Sequence, residues 1–124
     1  EQEQALGFTR GISGTGLVMA FVSLVILPPL AEEIIFRGFL YGTLRANKVR
    51  AGVAILVTSL IFGSLHLFGA AEGGLLWIAF VDTFILSLVL CYFREQNGTI
   101  WASVGIHALK NGFVFLNLFI INAH

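Results

Sequence analysis

Three short strings place polar side chains where the surrounding letters are apolar: Glu32, Glu33 and Arg37 in AEEIIFRGFL, His66 in FGSLHLF, four residues after Phe62, and His107 with Asn111 in GIHALKNG. Glu33 and Arg37 are four apart, so on a helix they share a face and can form an ion pair. That pair serves equally as a structural staple and as support for chemistry. Glu32 projects about 100° away from Glu33 around a helix, which leaves it as the carboxylate without a local counter-charge. His107 and Asn111 are also four apart and point the same way. Together, one carboxylate, two imidazoles and one carboxamide suit peptide hydrolysis, which needs a base to activate water and donors for the oxyanion formed on the attacked carbonyl. In this reading Glu32 and His66 share the water, while His107 and Asn111 supply the oxyanion donors. The trio Glu32, His66 and His107 can alternatively hold zinc with one coordination position open. Spacing does not separate the two mechanisms.

The elements that must position these groups follow from composition. Of 124 residues, 57% are hydrophobic and 11% charged, and mean hydropathy is +0.91. A soluble domain carries roughly twice that charged fraction, so the surface faces something other than water, a lipid bilayer. Seven basic and seven acidic residues balance to a net charge of zero, which provides no basic footprint for nucleic acid. A single cysteine, Cys91, excludes a disulfide framework or a multi-cysteine zinc site.

A membrane helix needs about 20 mostly apolar residues. Residues 11–31, 51–68, 75–93 and 101–121 meet that measure, separated by RANKVR at 45–50, GAAEGG at 69–74 and REQNG at 94–98. The expectation is an all-α membrane protein, a bundle of about four transmembrane helices. The first is kinked at Pro28-Pro29, with a new helical piece over 30–44 that starts beside the two acids, where unpaired amides favour negative charge. Residues 1–10 read as a juxtamembrane lead-in and 11–124 as the transmembrane core. Arg45, Lys48, Arg50 and Arg94 fall on one side and Arg10 on the other, which predicts a cytoplasmic 45–50 loop. Trp77 and Trp101, near span starts, read as interfacial anchors, and Phe62 as packing. Asp82 reads as one end of an interhelical hydrogen bond to Ser, Thr or Tyr, and Lys110 as a snorkelling or acid-paired cation.

In order on apolar helices, EExxxR (Glu32, Glu33, Arg37), FxxxH (Phe62, His66) and HxxxN (His107, Asn111) resemble the CAAX prenyl endopeptidase and bacteriocin-processing intramembrane proteases, over residues from about 28 to 115. The resemblance implies an integral membrane endopeptidase. Glu32 and His66 would activate water, His107 and Asn111 would stabilise the oxyanion, and Glu33 and Arg37 would support the site. It implies a peptide or protein substrate, a prenylated or bacteriocin-type precursor, and leaves metal dependence, zinc included, open; the compactness of the chain, separately, points to a bacterial cytoplasmic membrane. Relatives carry more helices upstream of the first motif, so the chain reads as a truncated or minimal member.

Two other functions fit the same letters: a non-enzymatic immunity or scaffold module of this fold, and a transporter fragment relaying protons through Glu32, Asp82 and the histidines. The protease reading carries a geometric demand. With each span starting at its loop, His107 sits roughly 10 Å nearer the cytoplasmic side than Glu32, so the 94–100 turn is expected to dip into the protein.

Overall fold

A computed structural model describes residues 14–67 and 76–121. The 1–10 lead-in and the 69–74 loop lie outside the described residues. Four helices follow in order: α1 (Thr15–Ala46), α2 (Ala51–Leu65), α3 (Trp77–Asn97) and α4 (Trp101–Ile121). No strand occurs among the described residues. Three of the helices, α1, α3 and α4, are long and apolar enough to cross a membrane. The fourth expected span is shorter: α2 has 15 residues, about 22 Å at 1.5 Å per residue, against a hydrocarbon layer of about 30 Å.

The burial pattern runs opposite to that of a water-soluble protein. Glu33, Arg37, Thr58, Ser59, Ser87 and Ser103 are completely buried, while Ile78, Leu109 and Phe113 are more than 70% exposed. Polar groups inside and large apolar groups outside is the arrangement a lipid solvent selects, since lipid gives no hydrogen bonds to an exposed polar group. Trp77 and Trp101 are the first residues of α3 and α4, and both are largely exposed.

The first helix differs from expectation. Pro28-Pro29 does not end one helix and start another; α1 runs unbroken for 32 residues. The distortion appears instead as wide π-helical turns over Val22–Ile26 and Ile34–Leu40, on either side of the prolines. In the first of these, the Leu27 amide reaches back five residues to the Val22 carbonyl and Ile26 takes φ −103°. Widening the turn ahead of the rings relieves their clash with the preceding carbonyls, and π turns are a recognised way of bending a helix without breaking it. Glu32 and Glu33 therefore sit mid-helix. The helix-start dipole expected to favour their charge is not what holds them.

α4 packs antiparallel along α1. Ile100 lies near Gly38, Val25 near Gly112, and the rings of Phe21 and Phe115 meet edge to face at 5.4 Å. This register resolves the depth problem in a way not anticipated from the sequence. Residues 96–99 stay exposed, so the turn does not bury itself. Yet α4 begins opposite Gly38, eight residues or about 12 Å before the end of α1, and His107 reaches the level of the two glutamates. Gly98 takes φ +70° as the left-handed cap that closes α3. α2 lies along α3 with Gly63 opening the approach, because a Cβ there would stand 3.1 Å from the Phe80 ring and 3.2 Å from the Phe84 Cβ.

One end of the bundle is tied by Glu95 of α3. Its carboxylate accepts from the Tyr41 hydroxyl at 2.5 Å and from Arg45 at 3.0 and 2.7 Å, and Arg45 also donates to the Val49 carbonyl at 2.7 Å. The 45–50 loop and the 94–98 turn therefore share that end, which gathers Arg45, Lys48, Arg50 and Arg94.

Candidate active site

Mid-membrane ions must be paired and inward-facing to be tolerated, and Glu33 with Arg37 meets both conditions. On the π-helical stretch of α1 the two remain neighbours, with Arg37 Nη1 3.0 Å from Glu33 Oε1 and neither side chain accessible. The guanidinium also meets two further elements. Its Nη2 donates to Ser87 Oγ of α3 at 2.6 Å, and its Cζ lies 4.6 Å from the centroid of the Phe62 ring of α2, within cation–π range. The Arg94 side chain donates in turn to the Arg37 carbonyl at 3.3 Å.

Glu33 also reaches across to α4. Its Oε1 accepts a hydrogen bond from His107 Nδ1 at 2.9 Å. A carboxylate only accepts, so this contact places the Nδ1 proton and aims the other ring nitrogen away from Glu33. That nitrogen, Nε2, lies 3.7 Å from Glu32 Oε2. Glu32 is 31% exposed and His107 only 6%. The carboxylate left without a local partner on α1 is thus the one that meets an imidazole with its free edge, at a separation that lets one water molecule touch both.

Phe62 ties the second motif to this cluster. Its ring is buried and meets Phe36 at 4.9 Å, His107 at 6.0 Å and His66 at 4.8 Å between centroids. The packing role expected of Phe62 holds, and it also carries the guanidinium. His66 caps the end of α2 and donates from Nδ1 to the Phe62 carbonyl at 2.8 Å. Its Nδ1 is therefore also the protonated nitrogen of the neutral ring, and Nε2 is the one left to accept.

Asn111 is tied to α1. Its amide nitrogen donates to the Leu24 backbone carbonyl of α1 at 3.0 Å, so one of its two N–H bonds is committed away from the glutamates. Asp82 and Lys110 form an ion pair between α3 and α4; Lys110 has the acid partner expected of it, and Asp82 bonds across helices to a lysine in place of the expected Ser, Thr or Tyr hydroxyl.

The zinc alternative does not fit this arrangement. Among the described residues no three His, Cys, Asp or Glu side chains are grouped to hold a metal.

Three partners lay outside the motif strings. Ser87 takes Arg37, Glu95 takes Tyr41 and Arg45, and the Leu24 carbonyl takes Asn111. Thr83, Ser87 and Cys91, spaced by four and all buried, form a stripe of small residues on α3, from which Ser87 meets Arg37 and Cys91 packs with Tyr41 of α1 and Ala54 of α2. Four buried polar atoms have no protein partner among the described residues: Glu33 Oε2, Arg37 Nε, Thr58 Oγ1 and Ser59 Oγ.

Fold and site together define an integral membrane protein, all-α, with a charged cluster enclosed by its helices. The family model for Rce1-like, type II CAAX prenyl endopeptidases, matches residues 14–113, and the chain belongs to that family. It is similar to the uncharacterized protein YyaK of Bacillus subtilis (strain 168), with 35% identity over 109 residues, which is 84% of this chain and 34% of that protein. The chain thus spans about a third of the length of that relative. No solved structure matches it at a significant level.

Proposed function

We propose that the protein is an intramembrane endopeptidase that hydrolyses a peptide bond near the membrane surface. The observation that carries this reading is the approach of Glu32 to His107 Nε2 at 3.7 Å, with the far side of the same ring fixed at 2.9 Å on a fully buried carboxylate. A mobile imidazole would spend part of its time misaligned. This one is anchored through Glu33 to Arg37, Ser87 and Phe62, which lowers the cost of holding the reacting groups in place.

In the proposed step, Glu32 accepts a proton from a water that His66 Nε2 helps to hold, and the water oxygen bonds to the substrate carbonyl carbon. The oxyanion takes hydrogen bonds from His107, acting through Nε2–H in its imidazolium form, and from the amide hydrogen of Asn111 not given to Leu24. Glu32 then passes its proton to the departing amine as the C–N bond breaks. Glu33 and Arg37 are positioning residues in this scheme.

Family membership supports a peptide or protein substrate, and the substrate proposed within that class is a prenylated or bacteriocin-type precursor. The grouping of Arg45, Lys48, Arg50 and Arg94 at one end supports a cytoplasmic position for the 45–50 loop, and the similarity to a Bacillus protein supports a bacterial cytoplasmic membrane.

The test is cleavage of a prenylated-peptide library by the protein reconstituted in lipid vesicles. Glu32→Ala and His66→Ala are expected to abolish cleavage, and Asp82→Ala to retain it. Cleavage that persists at full rate in Glu32→Ala defeats the proposal. No cleavage by the native chain, together with tight capture of one partner, would favour the binding-module reading.

A further inference from the structure

The Leu24 carbonyl is cut off from every donor a helix offers. In an α-helix it would take its hydrogen bond from the amide of residue 28, in a π turn from residue 29, and in a 3₁₀ turn from residue 27. Residues 28 and 29 are both proline and have no N–H. The Leu27 amide is directed to the Val22 carbonyl. Leu24 lies on the outer part of a membrane-crossing helix and its residue is exposed, where lipid supplies no replacement donor and an unpaired carbonyl is costly.

The replacement comes from α4. Asn111 Nδ2 donates to the Leu24 carbonyl at 3.0 Å, and Gly112 beside it lies against Val25, with 3.6 Å from a Val25 methyl to where a Cβ would stand. We infer that Asn111 is the side-chain cap for the backbone carbonyl that Pro28-Pro29 strips of its helical donors, and that this bond locks α4 to α1 in the register that brings His107 to the glutamates. The prolines and the asparagine are one device, split between two helices 83 positions apart from Pro28 to Asn111. The bond orients the carboxamide as much as it satisfies the carbonyl, so Leu24 sets where the second amide hydrogen points. The cap does not depend on whether the site cleaves peptides.

A stability cycle tests it in the reconstituted full chain. Asn111→Leu, which keeps the side-chain volume and removes the donor, is expected to lower the thermal midpoint. In a Pro28→Ala background residue 28 regains its N–H and can serve Leu24 itself, so the same Asn111→Leu change should lower the midpoint by less than half as much. An equal drop in both backgrounds overturns the inference. Pro29→Ala, which restores the π-turn donor, provides the same cycle should Pro28→Ala fail to fold. A second readout is direct: with the Leu24 carbonyl carrying ¹³C and ¹⁸O, its amide band should move to higher frequency in Asn111→Leu, and an unmoved band refutes the bond.

Discussion

Removing Arg37 is the sharpest available perturbation of this protein. In Arg37→Met the side-chain length and most of the apolar stem survive, but the Glu33 carboxylate is left with no accessible surface and only His107 for a partner. Breaking a buried pair by deleting one member costs about 3–5 kcal/mol, because the remaining charge is uncompensated. The folded-to-unfolded ratio should fall by roughly 10²–10⁴. The double change Glu33→Leu with Arg37→Met removes both charges, and an apolar pair of similar size is commonly neutral or better, so its stability should return to within about 1 kcal/mol of the native chain. Activity should not return with it, since the anchor on His107 Nδ1 is gone. Thermal unfolding in micelles measures the first quantity and peptide cleavage the second. The reasoning is refuted if both single changes stay within about 1 kcal/mol of native, or if the double change is as unstable as Arg37→Met.

Four further outcomes follow from the same geometry. Glu32→Gln is expected to leave the unfolding midpoint unchanged, because Glu32 is partly exposed and its contact with His107 is long, while lowering the cleavage rate by about 10²–10⁴ for loss of a general base; a rate within tenfold of native contradicts the role. Ser87→Ala deletes a 2.6 Å bond to a buried guanidinium and should cost about 1.5–3 kcal/mol in chemical denaturation. Gly63→Leu drives a side chain against Phe80 and the Phe84 Cβ and should destabilise by about 1–3 kcal/mol through overpacking; an unchanged midpoint would mean that α2 and α3 can part without loss. Glu95→Gln weakens the tie of Tyr41 and Arg45 to α3 at a partly exposed end, so about 1 kcal/mol or less is expected, with faster hydrogen exchange at the 45–50 loop as the more sensitive measure.

Much of this protein could be read from its letters because lipid imposes harsh rules. A chain this apolar has few ways to keep its backbone paired except as membrane helices, and any ion inside them must find a partner. The four-residue spacing of Glu33 and Arg37 therefore announced their pair, and the 100° offset of Glu32 marked it as the carboxylate left over. An acid partner for Lys110 was legible in the same way, but a lysine as the partner of Asp82 was not; a Ser, Thr or Tyr hydroxyl is what the spacing offered. What spacing within one helix does not contain is the rotation and register of one helix against another. That is why spacing does not reveal Ser87 as the partner of Arg37, or Glu33 rather than Glu32 as the partner of His107 Nδ1. It is also why Pro28-Pro29 predicts a kink with a new helical piece beyond it rather than one continuous helix. Two missing amides do argue against a helix when α1 is taken alone, and only the side chain of Asn111, brought alongside by the packing of α4, supplies the hydrogen bond that Leu24 lacks within its own helix.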